Sequence, residues 1–135
     1  MPQLKNYRLL ISHSWHYDAD YNKIKSWLDD ALDLKWFNHS VSADRPFDTK
    51  TNAELEKELT EQISGCSAII VVSGMYDTYS KWINYEIHEA IRLNKAIIGI
   101  RPRGSQRTPQ VVTDNADILV NWNSSSLISA VRKMA

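Results

Sequence analysis

Three short apolar runs rich in β-branched residues punctuate the chain, at Tyr7 to Ser12, Ala68 to Ser73 and Ala96 to Arg101, with a weaker fourth at Ile118 to Trp122. Their apolar character is nearly continuous rather than alternating, which marks strands covered on both faces. Trp36 to Val41 supplies a shorter extended piece, the predicted second strand in chain order. Between the runs the period changes. Tyr21, Ile24, Trp27, Leu28 and Leu32 recur at three- and four-residue spacing, as do Leu55, Leu59, Gln62 and Ile63, and then Trp82, Ile83, Ile87, Ala90 and Ile91. Such spacing predicts amphipathic helices. A last helix is predicted over Ser124 to Met134, capped by serines, with Leu127, Ile128 and Val131 on one face.

Strands and helices alternate from end to end, and that order predicts an α/β fold: a parallel sheet joined by right-handed crossovers. Five strands and five helices fit the flavodoxin-like arrangement, three layers with strand order 2-1-3-4-5 and helices on both faces. In such sheets ligands bind beyond the carboxyl ends of the strands, where the strand order reverses. That rule places Ser12 to Tyr17 and Ser73 to Tyr79 beside one crevice. The longest irregular stretch, Ser42 to Thr51, holds Pro46 and leads to a helix start at Thr51 or Asn52.

At 135 residues the chain has the size of one domain, taken as residues 1–135. Lys and Arg number 16 and so do Asp and Glu, so no surplus of positive charge is present to neutralise a nucleic-acid backbone. The lone cysteine, Cys66, rules out a disulfide within the chain and any multi-cysteine metal site, and suits a reducing compartment. No apolar stretch approaches the roughly 20 residues of a membrane-spanning helix. The N-terminal MPQLKNYRLLISHSW has neither the apolar region nor the cleavage site of a signal peptide. Together these features predict a cytoplasmic protein with neither nucleic acid nor membrane as partner.

Several chemistries of this fold lack the residues they need. The loop after the first strand reads Ser12-His13-Ser14-Trp15-His16-Tyr17, without the glycine that lets a backbone wrap the phosphate of FMN. A phospho-receiver needs a carboxylate pair there and an aspartate ending the third strand, where this chain has Ser12, His13 and Ser73. No phosphate-loop, dinucleotide or zinc-protease motif occurs. His13 and His16 are close in sequence but lack a cysteine or convincing carboxylate partner, so they are read as polar loop residues rather than metal ligands.

The segment Ser80-Lys81-Trp82-Ile83-Asn84-Tyr85-Glu86-Ile87-His88-Glu89-Ala90 carries the richest chemistry. On a helical wheel Trp82 and Glu86 share a face one turn apart, beside Ile83, Ile87 and Ala90. Glu86 is therefore expected at the edge of the buried stripe and Glu89 on the solvated side. A carboxylate between Trp and Ile beside a cleft has few water neighbours, which is how such a group is tuned for catalysis. The pattern by itself is equally that of an ordinary helix glutamate and a core tryptophan.

Several blocks carry a resemblance. Ile11-Ser12-His13-Ser14-Trp15 with Tyr17 and Tyr21, and then Trp36-Phe37-Asn38-His39-Ser40-Val41, resemble the opening of the TIR-like domains of the ThsB group, which includes the TIR proteins of the Thoeris antiphage system. Ser73-Gly74-Met75-Tyr76 with Tyr79-Ser80-Lys81-Trp82 and Tyr85-Glu86-Ile87 resemble their middle. Ile97-Ile98-Gly99-Ile100-Arg101-Pro102 with Pro109-Gln110-Val111-Val112 complete the match.

The resemblance implies the five-stranded TIR fold and, in the enzymatic members, NAD cleavage by a glutamate in a Trp-x-x-x-Glu pattern, which Trp82 and Glu86 match. It thus implies an NAD nucleosidase or ADP-ribosyl cyclase-type hydrolase with Glu86 as the catalytic residue and NAD as substrate, not cofactor. No other cofactor and no metal are expected. Ser12, His13, Trp15, Tyr17, Ser73, Tyr76 and Trp82 are candidate substrate contacts, and Asp44 and Arg45 lie in the loop that contacts substrate and neighbouring domains in the family; loop packing accounts equally well for Ser12, His13, Trp15 and Tyr17. Self-association is also implied, together with a small-molecule signal derived from ADP-ribose that reaches a separate effector. Two alternatives stand beside this reading: a non-catalytic TIR interaction module, and an enzyme resembling nucleoside deoxyribosyltransferases.

Overall fold

A computed structural model of the chain describes residues 6–11, 19–31, 34–38, 52–72, 76–101 and 108–135. The strands are β1 (Asn6–Ile11), β2 (Lys35–Asn38), β3 (Ala68–Val72), β4 (Ala96–Ile100) and β5 (Ile118–Val120). They pair in parallel in the order β2-β1-β3-β4-β5. The helices are α1 (Ala19–Asp30), α2 (Asn52–Gly65), α3 (Tyr76–Arg92), α4 (Gln110–Asn115) and α5 (Ser124–Met134). This is the α/β flavodoxin-like architecture expected from the alternation of periods, and α2 begins at one of the two expected positions.

Burial explains why the strands read as unbroken apolar runs. All five residues of β3 are buried, and successive side chains serve opposite layers. Ala68, Ile70 and Val72 pack with Leu9, Ile11, Ile98 and Ile100 against Ile24 and Leu28 of α1 and Leu127, Ala130 and Val131 of α5. Ile69 and Val71 turn the other way, with Leu10 and Ile97, to meet Ile63 of α2, Ile83, Ile87 and Ala90 of α3, and Val112 of α4. A single face could not bury both sets.

The edge strand β2 is mostly exposed, and a hydrogen bond of 2.8 Å from Trp36 Nε1 to Asp29 Oδ1 ties it to α1. Trp122, just past β5, sets its ring 5.0 Å from that of Trp27 and so fastens the far side of the same layer. At the opposite layer α4 approaches β4 closely. A Cβ on Gly99 would stand 2.8 Å from Val112 Cγ1 and 2.9 Å from Leu119 Cδ1, so the missing side chain is what lets the helix seat.

Helix ends bring two departures from the sequence reading. The cap of α5 is Asn123 rather than a serine: its side chain accepts from Ser126 N at 2.8 Å, and Ser125 Oγ donates to the same oxygen. Ile91, assigned to the buried stripe of α3, is 47% exposed. The helix ends there: Asn94 has φ +58°, Lys95 N donates to Ala90 O and Asn94 N to Ile91 O, a Schellman-type stop that leaves the last turn without a cover for Ile91.

Candidate functional site

Parallel order 2-1-3-4-5 reverses direction between β1 and β3, so the crevice of this fold opens where those two strands end. Chain continuity from Val72 brings α3 into that neighbourhood, and α3 carries Glu86. The helix phase then turns Glu86 toward the sheet, on the face shared by Ile83, Ile87 and Ala90.

Glu86 is 1% exposed and is the one buried charged or polar residue among the described residues. It lies within the buried stripe rather than at its edge, since the layer between α2, α3 and the sheet closes over it. Its Oε2 has no hydrogen-bond partner among the described residues. Burial drives its pKa well above the usual carboxylate range, favouring the protonated form. Cys66 lies within reach of its field: burial pushes the Cys66 thiol up to about 11, opposed by Lys95 and reinforced slightly by Glu86. The thiol donates to Ile63 O at 3.1 Å and behaves as a small core residue.

Glu89 departs from expectation. Its side chain is only 13% exposed and is the hub of a polar cluster between α2 and α3, not a solvated surface group. Thr60 Oγ1 donates to Glu89 Oε1 at 2.7 Å. Arg92 Nε donates to Oε2 at 2.6 Å and Nη2 to Oε1 at 3.0 Å, a two-pronged pair. Tyr85 OH stands 2.7 Å from Thr60 Oγ1, 3.1 Å from Glu56 O and 3.3 Å from Glu89 Oε1. Either hydroxyl can be the donor in the Tyr85 to Thr60 contact, and the one phenol proton serves Thr60, Glu56 O or Glu89 in turn. Arg92 first, then Thr60 and Tyr85, hold the Glu89 carboxyl down at about 2.

Sequence reasoning missed this cluster. Tyr85, Glu89 and Arg92 follow one another at four- and three-residue spacing, which signals a shared helix face. Thr60 is 29 residues from Glu89, and only the packing of α2 on α3 reveals it.

Of the other residues singled out by the sequence, Tyr76 opens α3 and Trp82 lies one turn before Glu86 in the same helix. Ser12, His13, Trp15, Tyr17, Asp44, Arg45 and Ser73 lie outside the described residues, as does the loop with His13 and His16. Among the described residues no group of three His, Cys, Asp or Glu side chains is arranged to hold a metal, and no helix is long and apolar enough to cross a membrane.

An all-parallel sheet in this order, with helices packed on both faces, defines a flavodoxin-like α/β domain. The family model described as Thoeris protein ThsB, TIR-like domain, matches residues 10–107. The chain belongs to that family, and the match runs from β1 through the end of β4. No curated protein matches the chain.

Proposed function

We propose that this domain cleaves the bond between nicotinamide and ribose C1 of NAD, with Glu86 as the catalytic residue, and that the ADP-ribosyl product serves as a signal in antiphage defence. The observation that carries the reading is the state of Glu86: a buried carboxyl whose Oε2 has no partner among the described residues and whose pKa burial pushes up. A structural glutamate in a core is normally paired, because leaving a polar group unsatisfied costs about 1–3 kcal/mol. Such an unpaired carboxyl is the expected signature of a group waiting for a ligand.

The chemistry follows from charge. Nicotinamide in NAD bears a positive ring, and bringing that ring near Glu86 favours the carboxylate, so the proton passes to solvent on binding. As the glycosidic bond breaks, its electron pair goes to nicotinamide, which leaves neutral and needs no acid. Positive charge grows on C1 and the ring oxygen of ribose, and the Glu86 carboxylate stabilises it. A hydroxyl, from water or from a second molecule, then bonds to C1 and gives its proton to Glu86, restoring the neutral resting form.

Burial of Glu86 also suits a second reading, a TIR module that only assembles with partners, because a carboxyl 1% exposed touches no substrate until neighbouring segments part. Incubating the protein with NAD and with deoxynucleosides, then separating the products, discriminates among the readings. Free nicotinamide supports the NAD enzyme and exchanged base a deoxyribosyltransferase. Neither product, across protein concentrations and phage-derived triggers, supports the interaction module.

A further inference from the structure

We infer that Glu89 is a positioning residue for Glu86, acting through the Thr60, Tyr85 and Arg92 cluster that keys α3 to α2; this role rests on the catalytic reading of Glu86. Among the described residues Glu86 Oε2 has no hydrogen-bond partner that would fix its place. Its position follows the roll and height of α3, whose Ile83, Ile87 and Ala90 pack on the sheet through non-directional apolar contacts. Directional bonds are what specify a single register.

The residues that supply them bracket Glu86. Tyr85 precedes it by one and Glu89 follows by three, and helix geometry places both on the flank facing α2. Thr60 contributes one hydroxyl that donates to Glu89 and is hydrogen-bonded to Tyr85 OH, each at 2.7 Å. A rotation of α3 that lifted Glu86 would stretch both bonds together. Arg92, 59% exposed, fixes the carboxylate from the solvent side and leaves its inner oxygen aimed at Thr60.

Glu89 is held ionised, its pKa down at about 2, while burial favours the protonated form of Glu86. The fixed charge sits in the clasp and the variable charge in the core beside it. Loosening the clasp admits water to Glu86 and returns its titration toward that of an ordinary carboxyl.

The test uses Thr60→Val, Tyr85→Phe and Glu89→Gln, with Thr60→Ser as the variant that retains the hydroxyl. Two readouts are taken on each folded protein: the Glu86 side-chain carboxyl titration by 13C NMR, and kcat and KM for nicotinamide release. The expected result is a Glu86 midpoint displaced downward in Thr60→Val, Tyr85→Phe and Glu89→Gln, with kcat reduced by about tenfold to 100-fold. KM should be little changed, and Thr60→Ser should behave as wild type. Variants that melt a few degrees lower yet keep the wild-type midpoint overturn the proposal, because a purely structural clasp lowers stability without moving the titration. If wild type releases no nicotinamide, the enzymatic reading fails by itself, and the NMR midpoint still decides whether the clasp positions Glu86.

Discussion

Glu86 and Glu89 stand less than one helical turn apart on α3, yet their surroundings drive them in opposite directions: burial pushes the Glu86 carboxyl well above the usual range, and Arg92 with two hydroxyls holds Glu89 down at about 2. Two carboxylates whose environments separate their pKa values this far are how one helix carries a switchable charge beside a permanent one.

The first consequence concerns pH above the unfolded carboxyl value. The folded-state pKa of Glu86 is raised above the unfolded value near 4.5, so above that pH the folded chain retains a proton that the unfolded chain has lost. Its contribution to stability is present below about pH 4.5 and is lost as pH rises through the folded value. Glu86→Gln should therefore flatten the decline of Tm as pH rises above about 4.5. Thermal melts at half-unit pH steps measure it, and identical slopes in both proteins would contradict the burial account.

Glu89 acts at the other end of the scale. Its folded value, about 2, lies below the unfolded one, so its stabilisation is present above about pH 4.5 and fades as pH falls toward 2. Glu89→Gln should lower Tm at neutral pH and shrink the loss on acidification. A solvated glutamate, as the helical wheel suggests, would leave Tm unchanged at neutral pH.

The expectations that hold and fail differ in kind. The sheet was legible because β3 and β4 bury nearly all their residues on both faces, and continuous apolar character has few other causes. Glu86 was legible from its phase relative to Ile83 and Ile87. Its depth was not, because a single-helix wheel omits the layer that α2 and the sheet place over it. The same omission hid Glu89, whose partner Thr60 comes from another helix. Asn123 was passed over because three serines follow it, although the cap is the residue whose side chain turns back onto the first free backbone N–H groups. The substrate-contact candidates of the first loop, Ser12, His13, Trp15 and Tyr17, lie outside the described residues.

Gly99→Ala should destabilise the chain by about 1–3 kcal/mol, the cost of overpacking a filled core. The added methyl meets Val112 and Leu119 at under 3 Å, and Val112 is fully buried with little room to yield. Urea titration provides the measurement. Retention of wild-type stability would show that α4 can move away from β4.

Asn123→Ala should cost about 1 kcal/mol, since it removes the acceptor for Ser126 N at the start of α5. Loss is expected in the urea midpoint without a change of slope. An unaltered midpoint would mean that a neighbouring serine takes over the cap.

The most direct measurement of the central claim is the rate of nicotinamide release from NAD by wild type and Glu86→Gln, under concentrations and triggers at which wild type turns over. Glutamine keeps the size of the side chain and deletes the charge that opposes the cation at ribose C1. A fall of roughly 100-fold or more is expected, the scale on which a preorganised electrostatic group acts, with the variant still folded. Equal rates in the two proteins would contradict the role assigned to Glu86.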